Sequence, residues 1–137
     1  MHAYVSGTAI ELMNPSDNVL RAGLTPKHID AEELIKVLGE HQDAPVLQRP
    51  EANGLGVEQY AMWDERMSVQ HIRVLADESV EYTFEGTSAA LVVDGSVTIS
   101  AGEQNITLCG TESVLHAGDS TSVTITGEGE LYIARYV

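Results

Sequence analysis

The sequence predicts a mainly β protein, a sandwich or jelly roll, with one short helix after an amino-terminal group of strands. Three observations carry that expectation. From Val57 onward, short apolar-alternating runs recur at close spacing, broken at Gly86, "AGE" (101–103), Gly110, "AGD" (117–119) and "GEG" (127–129). Residues 30–39 alone change to a helical apolar period. Asp94-Gly95 separates "ALVV" from "SVTIS", which signals a two-residue hairpin with a type I′ turn.

Residues 1–28 read as short strands and turns. In "AIELM" (9–13), Ile10 and Leu12 share one face and Glu11 points to the other. Gly7 and "NPSDN" (14–18) are turn signals. The helix starts at Asp30, a good N-cap with Glu33 three residues later as its capping-box partner. Ile29 and Leu34 are spaced as a hydrophobic staple, Leu34, Val37 and Leu38 make the apolar stripe, and Gly39 is the natural stop. Residues 40–56 hold Pro45, Pro50, Gly54 and Gly56 and read as a connecting loop with one short extended piece at "PVLQ" (45–48). The strands expected beyond it are 59–63, 67–75, 79–83, 89–93, 96–100, 105–109, 113–116, 122–126 and 130–136. Three regions result: 1–29, strands and loop; 30–56, helix and linker; 57–137, the β domain.

Composition narrows the function classes. The 137 residues suffice for a domain with a real core. Seven Lys and Arg stand against 21 Asp and Glu, a formal charge of −14, so nucleic acid and anionic membranes are not expected partners. No apolar run approaches the ~20 residues that span a bilayer, and no signal-peptide pattern is visible, so the cytoplasm is the expected compartment. The single cysteine, Cys109 in "ITLCGT", reads as a small buried apolar residue.

Positive charge is concentrated in "SDNVLRAGLTPKHID" (16–30), where Arg21, Lys27 and His28 fall within eight residues. Between Arg73 and Arg135 there is no Lys or Arg, against ten Asp and Glu. An anionic ligand would therefore be held by Arg21, Lys27 and His28.

His2, Glu11, Arg21 and Lys27 are the chemical candidates, and each has a plain alternative. Arg21 can form a structural ion pair with Asp17 or Glu11, His2 can be a frayed terminus, and Glu11 and Lys27 can be simply solvated. His71 and His116 read as structural, because neither has a His or carboxylate partner two residues away on its strand. Nucleophile motifs, phosphate loops and GxGxxG are absent.

The stretch "HAYVSGTAIELMNPSDNVLRAGLTPKHID" (2–30) resembles the carboxyl-terminal half of type I mannose-6-phosphate isomerases. Further on, "AALVVDGSVTIS" and "GTESVLHAG" resemble, more loosely, that family's late strand–turn–strand and its GES turn. The resemblance implies a cupin-like jelly roll and a zinc enzyme that interconverts mannose 6-phosphate and fructose 6-phosphate. It implies that His2 is a zinc ligand, that Glu11 lines the active site, and that Arg21 and Lys27 face the sugar phosphate and its reacting end.

The family's other zinc ligands, a Gln, a His and a Glu, come from an amino-terminal region that this chain lacks. The chain alone, a truncated form, is therefore expected to have little or no isomerase activity, with zinc belonging to the complete enzyme. The expected partners are the sugar-phosphate substrate and either a missing amino-terminal half or a second copy, paired through the amino-terminal strands. A non-catalytic sugar-phosphate-binding cupin module and half of a split enzyme are the alternative readings.

Overall fold

The computed structural model of the chain describes residues 5–13, 19–38, 47–53, 56–62 and 64–136. It divides into two compact units, Met1–Val46 and Leu47–Val137.

In the first unit, helix α1 spans Ala31–Val37. The Asp30 carboxylate caps it by accepting the Glu33 backbone N–H at 2.9 Å. The reciprocal half of the capping box is replaced, because the Glu33 carboxylate pairs with Lys36 at 3.1 Å. Glu32 and Glu33 in the first turn and Lys36 in the last oppose the helix dipole favourably. None of the helix residues is buried. The expected strands of residues 1–28 do not appear among the described residues, which run as bends and coil. Alternation in "AIELM" becomes a strand only within a ladder, and residues 9–13 carry no strand assignment. The expected turn at 14–18 and the stop at Gly39 lie outside the described residues.

The second unit is all β: β1 (Glu51–Ala52), β2 (Val57–Tyr60), β3 (Met67–Val74), β4 (Ser79–Phe84), β5 (Ser88–Ala101), β6 (Gln104–Cys109), β7 (Ser113–His116) and β8 (Thr121–Tyr136). Every pairing is antiparallel. Residues 129–136 of β8 pair with β3, whereas residues 121–126 pair with β4. β5 follows the same course, with residues 88–92 beside the later part of β8 and 96–100 beside the earlier. The two long strands thus belong to both layers. One layer runs β1-β2-β3-β8-β5-β7 and the other β4-β8-β5-β6. This is the mainly β jelly roll that the sequence predicts.

Side-chain parity explains the core. On β8, Val123, Ile125, Leu131 and Ile133 keep one parity and are all buried. On β5 the register shifts between Val92 and Asp94, so Ala90 and Val92 hand over to Val97 and Ile99 as the inward residues. The bulge turns the apolar face of β5 to follow the strand from one layer to the other. The 109–112 turn takes up its backbone groups: Val92 N–H donates to Glu112 O at 3.0 Å and Thr111 N–H to Val92 O at 2.7 Å. Ile72, Ile125 and Leu131 are completely excluded from solvent.

Three sequence expectations change here. Asp94-Gly95 is no hairpin, because β5 passes straight through it, and the "GEG" break likewise lies inside β8. The two-residue connection lies instead at Gly102–Glu103, with φ +58 at Gly102. Cys109 is exposed, since its neighbour Leu108 takes the inward position on β6. The two-residue β1 was not anticipated at all.

Candidate functional site

The first unit contains an open depression of about 860 Å³. Its ionisable lining residues are Glu11 and Arg21; Val19, Leu24, Leu34 and Leu38 give it an apolar wall. The local fold explains how Arg21 and the helix come together. Asp30 caps α1 with its side chain, and its backbone N–H donates to Arg21 O at 3.1 Å. The chain between them reverses with Leu24 at φ +57, and the Lys27 N–H donates to Thr25 Oγ1 at 3.2 Å. One residue, Asp30, thereby starts the helix and holds the backbone of Arg21 beside it.

The structure thus brings two of the four candidates together. Glu11 and Arg21 share the depression; Lys27 is exposed and is not among its lining residues. His2 lies outside the described residues. The apolar wall from Leu34 and Leu38 was legible only as a helical stripe, with nothing in the spacing to say that it faces Arg21.

Both second-unit histidines are tied to neighbours. His116 has Nδ1 at 2.8 Å from Gly86 O and Nε2 at 3.0 Å from Thr121 Oγ1, and its ring stacks on Phe84. His71 has Nδ1 at 2.8 Å from Glu58 and Nε2 at 3.6 Å from Glu130, carboxylates that come from adjacent strands. Among the described residues, no three His, Cys, Asp or Glu side chains are grouped to hold a metal ion. A catalytic zinc takes about three protein ligands, so the described residues do not make a zinc site by themselves. No helix among them is long and apolar enough to cross a membrane.

A mannose-6-phosphate isomerase from Escherichia coli (strain K12) is 36% identical over 132 residues, 95% of this chain and 33% of that protein. Mannose-6-phosphate isomerase 2 from Arabidopsis thaliana is 30% identical over 131 residues, 95% of this chain and 30% of that protein. The chain is a relative of the mannose-6-phosphate isomerases. It spans about a third of the length of the curated relatives it matches, and corresponds to their carboxyl-terminal part. A mutant phosphomannose isomerase from Salmonella typhimurium has the same fold over 88% of this chain and 32% of its own, with a TM-score of 0.74 and 27% identity. A structure of the Salmonella enzyme bound to its substrate and a zinc atom matches with a TM-score of 0.72 at 26% identity, over 88% of this chain and 31% of that one. No family model matches the chain.

Proposed function

We propose that this chain forms one part of a zinc-dependent mannose-6-phosphate isomerase, working in the cytoplasm, with the remaining zinc ligands supplied by polypeptide outside these 137 residues. The observation that carries this reading is the shared depression of Glu11 and Arg21, in the same stretch that carries the family's sequence pattern.

The residue types suit the chemistry. Interconverting an aldose and a ketose moves a proton between C1 and C2 through an enediol. A carboxylate such as Glu11 can take that proton from one carbon and return it to the other. The oxyanion that develops needs nearby positive charge, and the phosphate needs a cation that never loses its proton. Arg21 offers a planar fork for an anionic oxygen pair, and Lys27 a mobile point charge. The two divide the phosphate and the reacting end between them. His2 is the residue proposed to reach the zinc, whose role when bound is to polarise the substrate oxygen.

Apolar exposure supports a missing cover. Leu24 is fully exposed and Ile35 is 70% exposed, apolar surface that a covering polypeptide would remove from water. The polypeptide bearing the other ligands is the proposed cover.

The test is fructose 6-phosphate formation from mannose 6-phosphate with added zinc. The chain is assayed alone, and again mixed with a polypeptide covering the other two thirds of the Escherichia coli relative. Turnover only in the mixture, lost on Arg21→Ala, is the expected result. Saturable mannose 6-phosphate binding without turnover in the mixture would instead make the chain a binding module. Turnover by the chain alone would overturn the need for outside ligands.

A further inference from the structure

The interior of the β sandwich is not apolar throughout. Inward parity continues from Ile72 and Val74 to Ser68 and Gln70 on β3, and from Val57 to Gln59 on β2. On β8 it continues from Leu131 and Ile133 to Arg135. On β5 it passes from Val92 and Ala90 to Ser88, which is 2% exposed. Four strands change from aliphatic to polar, and the ladder places the change at one end: Gln59 lies opposite Gln70, Ser68 opposite Arg135, and Arg135 opposite Ser88. An interior face normally stays apolar, because each buried polar group must find a partner. Only Ser88 of these is buried; Gln59, Ser68, Gln70 and Arg135 are half-buried, so together they form a polar mouth at this end of the sandwich.

A pocket of about 220 Å³ occupies this end, lined by Gln59, Ser68, Gln70, Tyr82, Glu85 and Arg135 among others. Tyr82, on the opposite layer, donates its hydroxyl hydrogen to Gln70 Oε1 at 2.5 Å. Gln59 Nε2 donates to Ser68 Oγ at 3.3 Å and to Tyr60 O at 3.0 Å. Arg135 is ion-paired with Glu85. These bonds fix the rotamers. With the Tyr82 bond on Gln70 Oε1, the Gln70 amide hydrogens remain as donors. The Glu85 carboxylate and the Gln59 carbonyl oxygen have lone pairs for further acceptance. The walls thus alternate donors and acceptors at close range, held in place before any ligand arrives.

We propose that this pocket binds a small neutral polyhydroxylated molecule, no larger than one sugar ring. Size and charge together select that class. The volume lies below the ~300 Å³ at which drug-sized sites begin. The Arg135 charge is balanced by Glu85, so an inorganic or sugar phosphate would meet a carboxylate beside the only cation in the lining. A hydroxyl both donates and accepts, and adjacent hydroxyls match adjacent amide and carboxylate groups without charge. This site stands independently of the isomerase reading, since every residue in it belongs to the second unit.

The test is a ¹H–¹⁵N NMR titration of the full chain with D-mannose, and separately with inorganic phosphate. The expected result is saturable shifts in β2, β3 and the end of β8 with mannose and none there with phosphate. Gln70→Leu removes the donor and the Tyr82 acceptor together. Gln70→Glu keeps an acceptor for Tyr82 but loses the amide donors, and serves where the leucine variant does not fold. Either should weaken mannose binding by about tenfold, as for a lost buried hydrogen bond. A response that never saturates, one that maps elsewhere, tighter phosphate binding at these strands, or unchanged affinity in the folded variants would each overturn the proposal.

Discussion

Gly95 of β5 lies directly against Gly129 of β8, so closely that a Cβ on Gly95 would stand 2.7 Å from the Gly129 Cα and would collide with Glu128 O. The obstruction is β8 backbone, so it cannot swing aside as a side chain would. Gly95 also sits at φ +71, where a Cβ adds its own strain. This contact is the point at which both long strands pass from one layer to the other.

Gly95→Ala is therefore expected to cost more than the ~1 kcal/mol of an ordinary left-handed alanine, and at least ~2 kcal/mol once the clash is added. Urea unfolding of the full chain measures it. Gly102→Ala is the control, with the same positive φ and open space around its Cβ position. If the two variants unfold at the same urea concentration, close strand passage is not what requires glycine at 95.

The same contact shows what the sequence could and could not reveal. Strand Ser113–His116 was legible to the residue, because its alternating run is bounded on both sides by turn-forming residues. Asp94-Gly95 carries a hairpin signal as strong as any in the chain, yet the glycine serves a crossing with a strand distant in sequence. Local turn chemistry reports which φ a residue can adopt, not which distant backbone will press on it. In the first unit, Glu11 and Arg21 share a depression although their spacing follows no strand or helix period that would join them. The fold class followed from local pattern, whereas the seating of Arg21 beside the helix stripe depended on how the chain reverses between Arg21 and Asp30.

Acid should weaken the fold through Asp64. Arg66 donates to its carboxylate from Nε at 2.9 Å and Nη2 at 2.7 Å, and its backbone N–H adds a third bond at 3.0 Å. These bonds, the side-chain pair foremost, hold the Asp64 carboxyl at about 2, below its ordinary 3.8. A carboxyl lowered in the folded state stabilises the fold fully above its unfolded value, and that contribution fades as pH falls from about 4 to about 2. Thermal unfolding across this window should lose stability less steeply in Asp64→Asn than in the parent. Parallel curves would mean that the pair is equally formed in the unfolded chain.

The exposure of Cys109 predicts its chemistry. Its side chain lies outside the core, with Sγ 3.6 Å from Ser96 Oγ. A thiol reagent should therefore label one equivalent of native protein at a rate that denaturant increases only modestly. A buried thiol reacts only through unfolding, and labelling would then be slower by orders of magnitude. A rate that rises steeply with denaturant would restore the buried reading.

Glu11 and Arg21 should separate in the complemented isomerase assay, because they are assigned different jobs. Arg21→Ala removes the charge proposed to meet substrate oxygen, so a loss of about 10²-fold in kcat/KM is expected. Arg21→Lys keeps the charge without the planar fork and should recover only part of it. Glu11→Gln keeps shape and hydrogen bonding but removes the proton-accepting oxygen. Its loss should fall on kcat with KM nearly unchanged, and solvent-proton exchange at the substrate's C2 should slow in step. If Glu11→Gln raises KM alone, Glu11 positions the sugar and the proton carrier lies elsewhere. If the Glu11 and Arg21 variants lose activity only because the complementing polypeptide no longer binds, pull-down of the two parts will show it, and their shared depression is then a docking seat rather than a substrate site.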